Sequence, residues 1–211
     1  MDNSYDLNLE GILKGHHKMM YRGIKAIKCP FDYVIYQMII NEIKPDLIIE
    51  IGTAYGGSSL YLADILFQIG GGVLHTIDIS EEYFNANTED LRNLIESHPR
   101  IQRFLGGYQN YDLNSVSSFS KIMLIEDGSH NYLDVLNVMN KFRDIITKDS
   151  YMIIEDGCVN WMGTESDFDG GPLRAISEFL PQNPEFQIDR KWCDFFGYNT
   201  TFNPNGYLKK Y

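Results

Sequence analysis

The chain is poor in positive charge, poor in cysteine and without a long apolar run. Of its 211 residues, 18 are Lys or Arg against 29 Asp or Glu, a formal net charge of -11. No basic stripe runs along it. An acidic surface repels phosphate backbones and anionic lipid, which excludes nucleic acid as an expected partner. Three cysteines, Cys29, Cys158 and Cys193, stand far apart with no metal-type spacing. They fit neither a disulfide scaffold nor a zinc site and read as reduced thiols. No apolar stretch approaches the roughly 20 residues of a membrane span. The first residues lack the basic-then-apolar order of an export signal. A cytoplasmic protein without membrane insertion is the expectation.

What is present is the composition of an ordinary globular chain, 44% apolar and 22% charged. The length suits one domain over 1–211, with a helical lead-in over 1–45. Pro30 opens a segment with Phe31, Val34, Ile35, Met38 and Ile39 at helical spacing, and Pro45 ends it. Short apolar runs then alternate with helical patterns: DLIIEIG, VLHTIDI, IQRFL, KIMLIED and YMIIED are each followed by a glycine turn or a helix. This alternation predicts an α/β fold with a mostly parallel sheet and helices on both faces. The tail from about Phe186 reads as two strands separated by Asn203-Pro204-Asn205-Gly206, an antiparallel hairpin at the sheet edge.

In such sheets ligands bind beyond the carboxyl ends of the strands. The first strand runs into Glu50-Ile51-Gly52-Thr53-Ala54-Tyr55-Gly56-Gly57-Ser58-Ser59. The glycines permit a tight turn and close ligand approach, and the helix N-terminus near Ser58 offers N–H groups to an anion. A plain strand-to-helix turn accounts for the same residues equally well. The spacing G-x-x-x-G-G is not that of a dinucleotide binder. Asp78 ends the second strand, where a carboxylate can accept both hydroxyls of a ribose; a solvated strand end or a helix cap is the alternative. Together the two features point to one adenosyl ligand. Asp127, Glu155 and Asp156 follow neighbouring strands and should converge. Crowded carboxylates repel, and a hard divalent cation such as Mg²⁺ or Mn²⁺ relieves the repulsion. The competing account has Asp127 facing the ligand and the other two merely exposed on a loop. His16-His17 is read as solvated or capping, since no second cluster accompanies it.

The segment from Glu50 to Ser58, with Asp127-x-x-His130 and Glu155-Asp156, resembles the cephalosporin hydroxylase family. Despite that label, the family looks like a group of S-adenosylmethionine-dependent O-methyltransferases, including rhamnosyl O-methyltransferases. Tyr21-Arg22-Gly23, Gly171-Pro172-Leu173-Arg174-Ala175, Asp189-Arg190 and the tail Thr201 to Leu208 also fit. A more distant likeness is to catechol and caffeoyl-CoA O-methyltransferases. The resemblance implies a Rossmann-like class I methyltransferase with a seven-stranded sheet. It implies cofactor contacts from Glu50, Gly52, Thr53, Ser58, Asp78, Ile79, Gly107, Tyr108, Gln109 and Asp127, with Tyr108 and Gln109 beside the adenine. It implies a metal held by Asp127, Glu155 and Asp156. Where the distant relatives have a lysine three residues past the first metal Asp, this sequence has His130, which is then the expected proton acceptor beside Asp127. The acceptor would be a small molecule or glycan, the metal Mg²⁺ or Mn²⁺, and the assembly a homo-oligomer. Rival readings are an oxygenase, a NAD-binding oxidoreductase and a non-catalytic cofactor-binding subunit. The His residues lack the two-His-one-carboxylate arrangement an iron oxygenase needs.

Overall fold

The computed structural model describes residues 9–211. The lead-in is not wholly helical. A helix α1 (Leu9–His16) precedes a two-stranded ribbon, β1 (Met20–Tyr21) and β2 (Ile24–Lys25), and only then comes α2 (Pro30–Ile43). The ribbon turns at Arg22-Gly23, both with positive φ (50° and 87°), the backbone a two-residue hairpin requires. Helical periodicity was therefore the wrong expectation for 17–29, where turn chemistry prevails. The first eight residues of the expected lead-in lie outside the described residues. Pro30 sits in the first turn of α2, and Lys44 ends it in the left-handed conformation before Pro45.

The main body follows as β3 (Leu47–Ile51), α3 (Gly57–Gln68), β4 (Val73–Asp78), α4 (Glu82–Asn85), α5 (Glu89–Glu96), β5 (Ile101–Leu105), β6 (Ile122–Glu126), α6 (Tyr132–Phe142), β7 (Tyr151–Ile154), α7 (Gly171–Phe179), β8 (Phe186–Ile188), α8 (Arg190–Cys193) and β9 (Tyr207–Lys210). The seven-stranded sheet has the order β5-β4-β3-β6-β7-β9-β8. β3 to β7 pair in parallel, while β9 lies antiparallel to both β7 and β8. The expected hairpin exists, but its strands are joined through α8 and a long loop. Asn203–Gly206 does form the expected turn, closed by the Gly206 N–H on the Asn203 carbonyl (2.9 Å), but the turn leads into β9 rather than joining the two strands directly.

Strands β3, β6 and β7 are buried along their whole length. Their alternate side chains feed two cores. Leu47, Ile49, Leu124 and Met152 pack with α6 and α7 on one face; Ile48, Met123, Ile125 and Ile153 pack with α2, α3 and α8 on the other. Apolar burial at about 25 cal/mol per Å² thus holds helices to both faces and leaves the strands' carboxyl ends, between β4 and β7, as the place where loops converge. Among the described residues, no helix is long and apolar enough to cross a membrane.

Candidate active site

At the strand ends a cleft of about 290 Å³ opens, lined by Gly52, Asp78, Ile79, Gly107, Tyr108, Gln109 and Asp127 among others. Gly52 has φ +96°, and a Cβ there would stand 2.0 Å from the Asp127 carbonyl oxygen. Only glycine lets β3 exit this close to β6. The Asp78 carboxylate accepts the Ala54 N–H (2.8 Å) and the Ser80 N–H (3.1 Å), tying the first loop to the end of β4. Gly106 and Gly107 donate their N–H groups to the Asp78 carbonyl (2.9 and 3.0 Å), which brings Tyr108 and Gln109 to the same edge. Ile79 is 79% exposed at the lip.

Three residues expected at this cleft stand behind its wall. Glu50 is fully buried and accepts hydroxyl hydrogens from Ser58 (2.6 Å), Thr76 (2.7 Å) and Ser59. Thr53 pairs with the Thr76 hydroxyl at 2.7 Å. A carboxylate in a strand buried on both faces needs partners there, and Glu50 finds them inside the fold. Burial nevertheless leaves its pKa above the ordinary range, only partly offset by Lys28 and the hydroxyls.

Beyond Asp127 lies an acidic centre. Single ligand-type atoms of Asp127, His130 and Asp156 lie within 4.8 Å of one another. The His130 Nε2 is 3.3 Å from Asp156 Oδ2, while its Nδ1 is buried without a partner. Burial alone would lower the His130 pKa; Asp156, Asp127 and Glu126 outweigh it and leave it raised. Asp156 has a left-handed backbone (φ 55°), and its N–H donates to Asn203 Oδ1 at 3.1 Å. Neighbouring bonds from Cys158 N–H to the Phe202 carbonyl (3.0 Å) and from Ile154 N–H to the Gly206 carbonyl (2.9 Å) clasp the exit of β7 to the tail. Asp32, at the start of α2, accepts the Phe202 N–H (3.0 Å) and the hydroxyls of Tyr207 (2.9 Å) and Thr201, tying the lead-in to the same loop.

Glu155 does not join the trio. Its two oxygens accept from Lys28 Nζ at 2.7 and 2.8 Å, and Lys28 also contacts Asp127 Oδ2. The Lys28 side chain is 1% exposed. Burial alone would lower its pKa; Asp127, Glu155 and Glu50 raise it well above normal, so it stays charged. Burial, then the Asp127 charge, pushes Glu155 well above the carboxylate range, with Lys28 only partly offsetting them. The centre thus crowds three carboxyl groups, those of Asp127, Glu155 and Asp156, around one lysine and one imidazole.

Sequence reasoning missed Lys28 and Glu126. Glu126 is 1% exposed and lines the cleft, and burial pushes its pKa up to about 7. Both sat in segments read as lead-in and strand interior, where polar residues carry no positional signal; an isolated Lys before Cys-Pro was the one hint of the former. A second cavity of about 410 Å³ adjoins the trio, lined by His130, Asp156, His16, Met162, Phe168 and Phe202. His16, expected to be solvated or capping, thus faces a cavity, although its Nδ1 also lies 2.6 Å from the Leu13 carbonyl.

Residues 14–211 match the family model for rhamnosyl O-methyltransferase/CmcI. A rhamnosyl O-methyltransferase of Mycobacterium bovis (strain BCG / Pasteur 1173P2) is 31% identical over 202 residues, covering 90% of this chain and 78% of that protein. The rhamnosyl O-methyltransferase of Mycobacterium leprae (strain TN) is 27% identical over 219 residues, covering 94% and 90%. Among solved structures, CmcI with Mg and SAM superposes with a TM-score of 0.66 at 19% identity, over 100% of this chain and 88% of that one. The O-methyltransferase TomG from Streptomyces achromogenes, in complex with SAM, superposes with a TM-score of 0.58 at 15% identity, over 88% and 81%.

Proposed function

The chain belongs to the rhamnosyl O-methyltransferase/CmcI family, and from that premise we propose that it methylates a sugar hydroxyl with S-adenosylmethionine and a divalent cation. The observation that carries this reading is the trio Asp127, His130 and Asp156, which stands between two cavities. Asp127 lines the cleft, while His130 and Asp156 line the second cavity. A methyl donor in the first and an acceptor in the second would meet there.

The cleft fits an adenosyl amino acid by its chemistry. Asp78 keeps free acceptor capacity for ribose hydroxyls beyond its two backbone bonds, since a carboxylate has about four lone-pair sites. Ile79 and Tyr108 offer apolar surface for the base, and Gln109 an amide for its edge. The cofactor's sulfonium makes its methyl group electrophilic; the protein's task is orientation and proton removal. The acidic centre fits a hard cation: its donors are carboxylate oxygens with one imidazole, and His130 Nδ1 lacks a partner. Asp127 and Asp156 would hold the ion, which polarises the acceptor hydroxyl. His130 would take the hydroxyl proton. Met162, Phe168 and Phe202 give the second cavity apolar walls on which a sugar ring face can rest, and His16 adds a polar group at its edge.

A second reading, favoured by the closeness of the three ligand-type atoms, makes His130 a third cation ligand. One experiment separates the two. If His130 is the base, His130→Ala loses about 10²–10⁴ in turnover while Mg²⁺ affinity, measured by calorimetry, is kept. If it is a ligand, affinity falls with turnover. Near-native turnover in the variant would refute both. Methyl transfer indifferent to a chelator would remove the cation from the proposal.

A further inference from the structure

Lys28 comes from the segment between the β-ribbon and α2, outside the alternating strands and helices that build the cleft. Its ammonium nevertheless reaches Asp127 at the edge of the acidic centre, and the side chain is 1% exposed. It touches both oxygens of Glu155 and one of Asp127. A lysine placed this deep needs a reason, because desolvating an ammonium costs several kcal/mol unless carboxylates surround it. Here Asp127 and Glu155 flank it, with Glu50 also acting on it at longer range.

We propose that Lys28 is a built-in cation of the active centre that competes with the divalent ion for Asp127 and Glu155 and so sets how loosely that ion is held. The inference rests on the metal reading above. Two effects act in one direction. The ammonium repels a second cation nearby, and it occupies carboxylate oxygens that would otherwise serve as ligands. Glu155 is the clearest case: both of its oxygens are on Lys28, while its chain neighbour Asp156 faces His130. Oxygen sites with more available carboxylate charge bind such ions more tightly. Lys28 is thus a positioning residue; it acts on the site through Glu155 and Asp127. The same contacts join the lead-in to the ends of β6 and β7, so cation affinity and the seating of the lead-in are linked.

The test is calorimetric titration of MgCl₂ into the full chain, as wild type, Lys28→Gln and Lys28→Arg. Glutamine removes the charge but keeps a donor; arginine keeps the charge. We expect Lys28→Gln to bind Mg²⁺ at least about tenfold more tightly, as removal of a nearby like charge requires. Lys28→Arg should stay within about threefold of wild type. Damage to the fold would weaken binding, so tightening is a change that a merely structural lysine would not produce. Thermal unfolding with and without MgCl₂ is the second readout, since a bound ion stabilises the folded state. Mg²⁺ should raise the melting temperature of Lys28→Gln more than that of wild type, even if this variant is unstable alone. Wild-type binding without tightening in Lys28→Gln, or an equal or smaller thermal shift, overturns the proposal and leaves the metal reading intact. Absence of Mg²⁺ binding in all three proteins overturns both.

Discussion

The cleft and the acidic centre share Asp127 but are built in different ways. The cleft is made of consecutive strand ends: Gly52 after β3, Asp78 closing β4, Gly107 to Gln109 after β5 and Asp127 after β6. Its geometry is held by backbone bonds between neighbouring strands, such as those from Gly106 and Gly107 to the Asp78 carbonyl. The acidic centre is assembled from far-apart pieces. Lys28 reaches Asp127 and Glu155 across 99 and 127 residues, and Asn203 reaches Asp156 across 47. A cleft shaped by backbone bonds between strands keeps its outline when one side chain changes, and loses only what that side chain itself gives the ligand. A site made by long-range side-chain bonds depends on each of them.

This contrast can be broken by substitutions that should act on one half alone. The largest effect is expected at Asp78. Asp78→Ala should weaken S-adenosylmethionine binding by about 2–3 kcal/mol, the worth of charge-assisted hydrogen bonds, and leave Mg²⁺ affinity unchanged. Calorimetry with each ligand on the folded variant checks this, and unchanged cofactor affinity would remove Asp78 from the ribose role. A smaller effect is expected at Asn203, whose side chain accepts from Asp156 N–H and donates to the Tyr36 hydroxyl at 2.9 Å. Asn203→Ala should reduce Mg²⁺ affinity about tenfold, the usual cost of losing a group that orients a ligand, with cofactor affinity intact. Equal losses of both ligands would show that the two halves are not separable. The smallest effect on binding is expected at Glu50. Glu50→Gln should change cofactor affinity by less than about twofold and lower stability by about 1 kcal/mol, read by urea unfolding, because its three hydroxyl donors are all internal. A large loss of cofactor affinity would place Glu50 back at the cleft.

How much of this was legible follows the same division. The strands β3, β4, β6 and β7 announce themselves as short apolar runs ending in glycine or acid, because burial on both faces demands apolar residues. The half-exposed edge strand β5 is marked instead by Pro99 before it and the glycine pair after it. A parallel sheet puts all their exits on one edge. That made Gly52, Asp78, Ile79, Gly107, Tyr108, Gln109 and Asp127 readable as a set, and the structure lines one cleft with them. The ribbon Met20–Lys25 was not read, since two-residue strands carry no periodicity.

By itself the sequence determined the α/β class, the edge of the sheet on which ligands should bind, and the identity of the acids placed there. Those depend on burial and on period, both of which are local along the chain. Only the tertiary structure decided which acid faces what. Glu50 sits inward among the hydroxyls of Ser58, Ser59 and Thr76. Glu155 turns to Lys28 and Asp156 to His130, although the two acids are adjacent. The reason is physical: a buried carboxylate must find a donor or a cation wherever the fold brings one. Here the lysine comes from ahead of the first strand of the seven-stranded sheet and the asparagine from just before its last, so no spacing along the chain encodes either meeting.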